Sequence, residues 1–196
     1  LVEVPSVAIT GIQTPEADGW SVEGSGLTVL VRELPLELEQ EDGAEQYFHT
    51  TLDTASLDMT GGRTAEARLR ITSYSGLGVN NGPIFGCTVG PSFRDVALQF
   101  APGQLRMVTR TTPGGSTWSG VGAVVSFDWN DEASHTYRFI ADPTTDSVVL
   151  IVDDVVLTTL ALSAFTTGTV EGRAYFGANA NSAATQSVVE WDSFSV

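Results

Sequence analysis

With two histidines and one cysteine, this 196-residue chain has few routes to nucleophilic chemistry. His135 opens the stretch "HTYRFIADPTTDSVVLIVDD" after a polar turn, and one histidine without a matching serine or cysteine pattern makes no triad. Its expected role is structural, as a cap or as packing at a strand edge. Paired carboxylates are the other reactive possibility, since two carboxyl groups about 5 Å apart hydrolyse glycosides with retention. The run "ELEQE", Glu37 to Glu41, alternates acidic residues along one strand, and it reads as a solvated acidic face ahead of a turn. The chain has no Gly-x-Ser-x-Gly elbow, no phosphate-cradling glycine loop, no His-Glu-x-x-His and no cysteine cluster for zinc.

Binding chemistry is better represented. A sugar site needs an aromatic face for C–H groups and a few planar polar groups for hydroxyls. The stretch "SYSGLGVNNGP" supplies Tyr74, Asn80 and Asn81. "TPGGSTWSGVG" sets Trp118 in a loop-like context with no apolar periodicity, which makes it a candidate ligand platform. Arg94 could grip a carboxylate or a hydroxyl pair bidentately, or pair with a neighbouring acid such as Asp95. Trp20, Trp129 and Trp191 lie in or beside strand patterns, where core packing is the default.

The elements that must position these residues are strands. Apolar residues recur at period two: Leu34, Leu36 and Leu38; Ala67, Leu69 and Ile71; Val96, Leu98 and Phe100; Tyr137 and Phe139. Pro35 suggests an edge or a bulge. Asp-Gly in "EDGA", Glu41 to Ala44, predicts a tight hairpin. "DPTT" predicts the turn after Ala141, with Asp142 bonding its own backbone. The nearly continuous "SVVLIV" predicts a strand covered on both faces, and Asp153-Asp154 the next turn. One helical turn is expected at "NDEAS", capped by Asn130 or Asp131. Many short strands with regular turn signals describe an all-β, two-sheet antiparallel sandwich. Residues 1–196 read as one domain, with the segment up to about Gly26 as a strand closing the sandwich.

Charge narrows the partners. The chain carries 24 acidic and 9 basic residues, a net charge of -15, and every basic residue is arginine. Such a surface repels phosphate, so nucleic acid and anionic lipid are not expected partners. It disfavours polyanionic polysaccharides as well, unless a local arginine cluster or bridging cations intervene. No run of 18 apolar residues is present, so no membrane insertion is expected. Cys87 has no intrachain disulfide partner.

One resemblance joins these observations. A strand opening His-x-Tyr after "FDWNDEAS", an apolar strand ending in "LIVDDVV" and a terminal "VEWDSFSV" resemble the concanavalin A-like jelly roll, in particular laminin G-like domains. Asp154 stands where glycine is usual. The resemblance spans roughly Gly19 to Val196 and implies two curved sheets with a sugar site on the concave face or rim. It implies a possible structural Ca²⁺ at Asp192. Glucanases of the fold carry Glu-x-Asp-x-x-Glu, which "ELEQE" does not match. Alginate lyases are echoed by "RTAEARLR", Arg63 to Arg70, and "AYFGANANS", Ala174 to Ser182, without their Gln-x-His, their lysine or their second tyrosine. For such chemistry Tyr175 and His135 are the nominees. The function expected is a non-catalytic carbohydrate-binding or adhesion module of an extracellular or cell-surface protein, with glycan as its partner. A lyase or hydrolase, and a structural jelly-roll module of a surface layer, appendage or viral particle, are the alternatives.

Overall fold

A computed structural model of the chain describes residues 20–31, 35–51, 60–75, 82–101, 103–112, 117–127, 133–167, 172–179 and 186–196. These residues form twelve strands: β1 (Ser21–Val31), β2 (Leu36–Thr51), β3 (Arg63–Ser75), β4 (Gly82–Val89), β5 (Arg94–Ala101), β6 (Gln104–Arg110), β7 (Trp118–Ser126), β8 (His135–Asp142), β9 (Ser147–Val152), β10 (Val155–Ala161), β11 (Arg173–Asn179) and β12 (Gln186–Ser195). The described helical structure is a single short 3-10 turn, Leu162–Ala164. All pairings are antiparallel.

The hydrogen-bonded path runs β10-β9-β8-β3-β12-β2-β11-β4-β5-β6-β7. β2 is the hinge between two sheets. Its first part, Leu36 to Gln40, pairs with β12, and its second part, Glu45 to Thr51, pairs with β11. The Asp-Gly of "EDGA" therefore makes no hairpin. Residues 41–44 bulge inside one continuous strand, opposite the single residue Gly26 of β1. Turn-forming residues act here as a bend, because pairing on both flanks outweighs the local hairpin preference. Of the two readings of Pro35, the bulge holds and the edge does not: the residue lies just before β2, which has partners on both sides and breaks register with β1.

Alternation then builds the core. Ala65, Ala67, Leu69, Tyr137, Phe139, Leu150, Trp191 and Phe194 of the first sheet meet Phe48, Phe85, Val96, Leu98, Phe100 and Phe176 of the second. Aromatic contacts cross the seam directly. Phe85 stacks on Phe139 at 6.0 Å, Phe100 meets Tyr137 edge-on at 4.7 Å, and Phe176 meets Trp191 at 5.1 Å. Each such pair adds about 0.5–1.5 kcal/mol to the burial itself. At the open end, Leu160 of β10 packs on Gly122 of β7, so the two edge strands approach one another. No helix among the described residues is long and apolar enough to cross a membrane.

The β8–β9 hairpin answers for His135. Its ring Nδ1 lies 2.6 Å from an Asp153 carboxylate oxygen, and the other oxygen accepts the Thr136 N–H at 2.9 Å. Asp142 accepts the Thr144 N–H at 2.8 Å and the Thr145 hydroxyl at 2.9 Å, fixing the turn. Asp153 and Asp154 adopt φ of 47° and 64°, the left-handed pair of a tight hairpin. β9 departs from expectation: Val148, Leu150 and Val152 are buried, while Val149 and Ile151 are half-buried, so it is covered fully on one face. The helical turn expected at "NDEAS" falls largely outside the described residues.

Candidate functional site: the outer face of the second sheet

A sandwich needs one apolar face per sheet, so the outer faces tell which surface is built for something else. The first sheet's outer face is ionic. Arg68 pairs with Asp192 at 3.1 Å, Arg70 with Glu190 at 2.6 Å, and Arg138 with Asp154 at 2.6 Å and Glu66 at 3.7 Å. The second sheet is different. Its outer face carries a second apolar cluster of Ile84, Ala97, Val108, Trp118 and Tyr175, separate from the inter-sheet core.

Register arranges that face in rows. His49 of β2, Tyr175 of β11, Gly86 of β4, Ala97 of β5, Val108 of β6 and Gly120 of β7 lie side by side. The row above runs Gly177, Ile84, Gln99 and Arg106. Below, Thr88 faces Asp95, and Arg110 faces Trp118. Two glycines make room for larger neighbours. A Cβ at Gly86 would stand 2.8 Å from the Tyr175 hydroxyl, and one at Gly120 would stand 1.6 Å from Arg106 Nε.

Electrostatics on this face are tight. Arg110 lies 5.0 Å from the Trp118 ring centroid and 5.7 Å from that of Tyr175, a double cation–π contact. Its Nε is 3.9 Å from Asp95. Burial raises the Asp95 carboxyl above its ordinary value, against the pull of Arg110, Arg173 and the Thr88 hydroxyl. Gln99 is 1% exposed, and neither atom of its amide has a hydrogen-bond partner among the described residues.

The residues nominated from sequence scatter. Trp118 is not a loop platform: it opens β7, is 6% exposed, and has Arg110 over its ring and Tyr175 at 5.5 Å. The loop-like glycines and serines around it belong to a strand held in register with β6. Arg94 shares its strand with Asp95 but follows the alternation of Val96. Its guanidinium donates to the Phe165 carbonyl and, at 3.2 Å, to the Ser163 carbonyl. It borders a depression of about 200 Å³ with Gly90, Pro91, Ser92, Pro143 and Asp146. Arg94 and Trp118 therefore belong to different places. Tyr74 lies in β3 opposite Ser187, on the other sheet, and Asn80 and Asn81 fall outside the described residues. Asp192 faces Arg68, and among the described residues no group of three or more His, Cys, Asp or Glu side chains gathers to hold a metal ion. His135 and Tyr175 sit on different sheets; the histidine opposite Tyr175 is His49.

Gln99, Arg106, Arg110 and His49 were not singled out from the sequence. Their signal was the polar half of strands whose apolar half was obvious: Gln99 in "DVALQF", Arg106 and Arg110 in "QLRMVTR".

No family model matches the chain, and no curated protein matches it. Solved structures do. The Crh5 transglycosylase in complex with NAG superposes with a TM-score of 0.60 at 14% identity, covering 98% of this chain and 83% of the other. The fold is a concanavalin A-like jelly roll. A conserved carbohydrate esterase from the Shiga toxin-encoding bacteriophage phi24B gives 0.58 at 15% identity, covering 93% and 91% of the two chains. The Emp47p carbohydrate recognition domain gives 0.52 at 18% identity, covering 90% and 86%. At these identities the likeness speaks for architecture alone, and function has to come from the site.

Proposed function

We propose that this chain is a carbohydrate-binding module of an exported or cell-surface protein, one jelly-roll unit holding glycan against the outer face of its second sheet. The observation that carries the reading is the asymmetry between the outer faces. One is a lattice of ion pairs, and the other combines a buried apolar cluster with planar polar groups. Sugars need that combination, an apolar floor for C–H groups beside amides and guanidinium groups for hydroxyls. Two superposed proteins, one in complex with NAG and one a carbohydrate recognition domain, support it as analogy.

The test is calorimetric titration of the protein with a panel of soluble polysaccharides, beside Tyr175→Phe and Arg70→Ala. Tyr175→Phe keeps the ring and removes the hydroxyl, and should weaken binding by about 5- to 10-fold, the size of one hydrogen bond. Arg70→Ala, on the ionic face, should bind as the parent does. Indifference to every polysaccharide overturns the reading.

One observation favours a second reading, a polysaccharide lyase. His49 stands directly opposite Tyr175 in register on the same face. β-Elimination needs a base for the proton beside a carboxylate and an acid for the leaving oxygen, and these two side chains are of the right kinds. Incubation with uronate polysaccharides, followed by ultraviolet absorbance of the unsaturated product, tests it. Product formed by the parent and not by His49→Ala supports it, and no product from any substrate removes it.

A further inference from the structure

The depression of about 200 Å³ opens where the β4–β5 and β8–β9 turns meet the 3-10 turn. Its apolar lining comes from the buried Val89 and Leu162 together with Pro143. Its polar groups reach solvent: Ser92 and Asp146 are exposed, and Arg94 is half-buried. Arg94 and Asp146 carry opposite charges and line the same space, yet they form no ion pair with each other. Both are fixed to Ser163 instead. Nη1 of Arg94 donates to the Ser163 carbonyl at 3.2 Å, and the Asp146 carboxylate accepts the Ser163 N–H and hydroxyl, each at 2.7 Å. Nη1 also donates to the Phe165 carbonyl. The other edge of the guanidinium, Nε and Nη2, has no partner among the described residues and is not buried. Phe93, between Ser92 and Arg94, holds a φ of 49°, which a bulky side chain rarely adopts. Such strain gathers at ligand clamps.

We propose that this depression is a binding site for a free apolar α-amino acid. The ligand carboxylate takes the Nε–Nη2 edge of Arg94, the ammonium meets Asp146, and the side chain lies against Val89, Pro143 and Leu162. A guanidinium edge matches a carboxylate through two parallel hydrogen bonds. The volume lies below the roughly 300–1,000 Å³ of sites for drug-sized ligands, so the occupant is small. Charge selects a zwitterion. A simple anion would meet Asp146 and the acidic field of a chain with net charge -15. A zwitterion has no net charge, and its ammonium turns Asp146 into a partner. Ser163 already holds both receptor groups, so binding orders no long side chain.

The site shares no residue with the outer face of the second sheet, so the inference stands apart from the glycan reading. Its test is calorimetric titration of the folded protein with L-leucine, N-acetyl-L-leucine, L-leucinamide and glycine. Leucine should bind saturably. The acetyl and amide derivatives, each lacking one charge, should bind about 10- to 100-fold more weakly, the range of hydrogen bonds to a charged group. Glycine should bind about 10-fold more weakly, since it buries no side chain. Asp146→Asn keeps an acceptor for Ser163 and removes the charge. It should erase the preference for leucine over N-acetyl-leucine while the melting temperature stays within a few degrees. Arg94→Lys keeps a cation near the two carbonyls and loses the planar fork, so it should erase the preference over leucinamide. Equal affinity for leucine and its two derivatives overturns the inference, as does leucine binding that neither variant changes. Absence of saturable leucine binding to the parent protein overturns it as well, and leaves the glycan reading untouched.

Discussion

The guanidinium of Arg106 crosses the backbone of Gly120 so closely that a single added methyl at Gly120 would overlap it, at 1.6 Å from Nε and 1.7 Å from Cζ. The obstacle is the end of a flexible side chain, so the arginine can swing away. Gly120 has no left-handed φ to defend. Gly120→Ala should therefore leave the melting temperature within a few degrees while lowering polysaccharide affinity by about 10-fold or more, as the arginine loses its seat. Melting curves and titration on one sample check both halves.

Gly86 gives the opposite outcome on the same face. A Cβ there would lie 2.5 Å from the Val96 carbonyl and 2.7 Å from Ala97 Cβ, as well as 2.8 Å from the Tyr175 hydroxyl. Two of those neighbours belong to the strand framework and cannot step aside. Gly86→Ala should destabilise the fold by about 1–3 kcal/mol, read by denaturant unfolding.

Arg94 distinguishes scaffold from site. Its guanidinium ties β5 to the carbonyls of Ser163 and Phe165 across the 3-10 turn. Arg94→Met should cost about 1–3 kcal/mol in unfolding free energy, the value of hydrogen bonds from a charged donor. Glycan affinity of the folded variant should match the parent.

Acid sensitivity follows from the turns. Burial pushes the Asp153 carboxyl up, yet the Thr136 N–H, the His135 ring and nearby positive charge hold it below its ordinary 3.8. The Thr145 hydroxyl and Thr144 N–H lower Asp142 in the same way. Both bind protons more weakly when folded, so their stabilisation is complete above the ordinary carboxylate value and is lost as pH falls through the folded values. Asp95, raised by burial, works in the other sense: stability falls as pH rises through the interval above 3.8. Asp153→Asn should flatten the acid limb of melting temperature against pH, and Asp95→Asn should steepen it.

Much of the architecture was legible because alternation reports burial directly. Val96, Leu98 and Phe100, or Tyr137 and Phe139, declare which side of a strand is dry. The bend at 41–44 was not legible, because Asp-Gly carries the same local signal in a hairpin and in a bulge, and only pairing on both flanks decides. Trp118 was misjudged for a related reason: its glycine- and serine-rich surroundings hide a strand whose register with Arg110 buries the ring. The candidate site was hardest. Gln99, Arg106, Tyr175 and His49 lie on four strands, and one sequence shows the alternation within each strand but not the register between them.

The most direct measurement is a residue-resolved NMR titration of the labelled protein with a soluble oligosaccharide of the polysaccharide it binds. Saturable shifts at the amides of Ala97, Gln99, Arg106, Val108 and Tyr175, with Arg68, Arg70 and Glu190 unmoved, are the predicted result. Shifts confined to the ionic face of β3 and β12, or none at saturating sugar, would contradict the placement of the ligand on the second sheet.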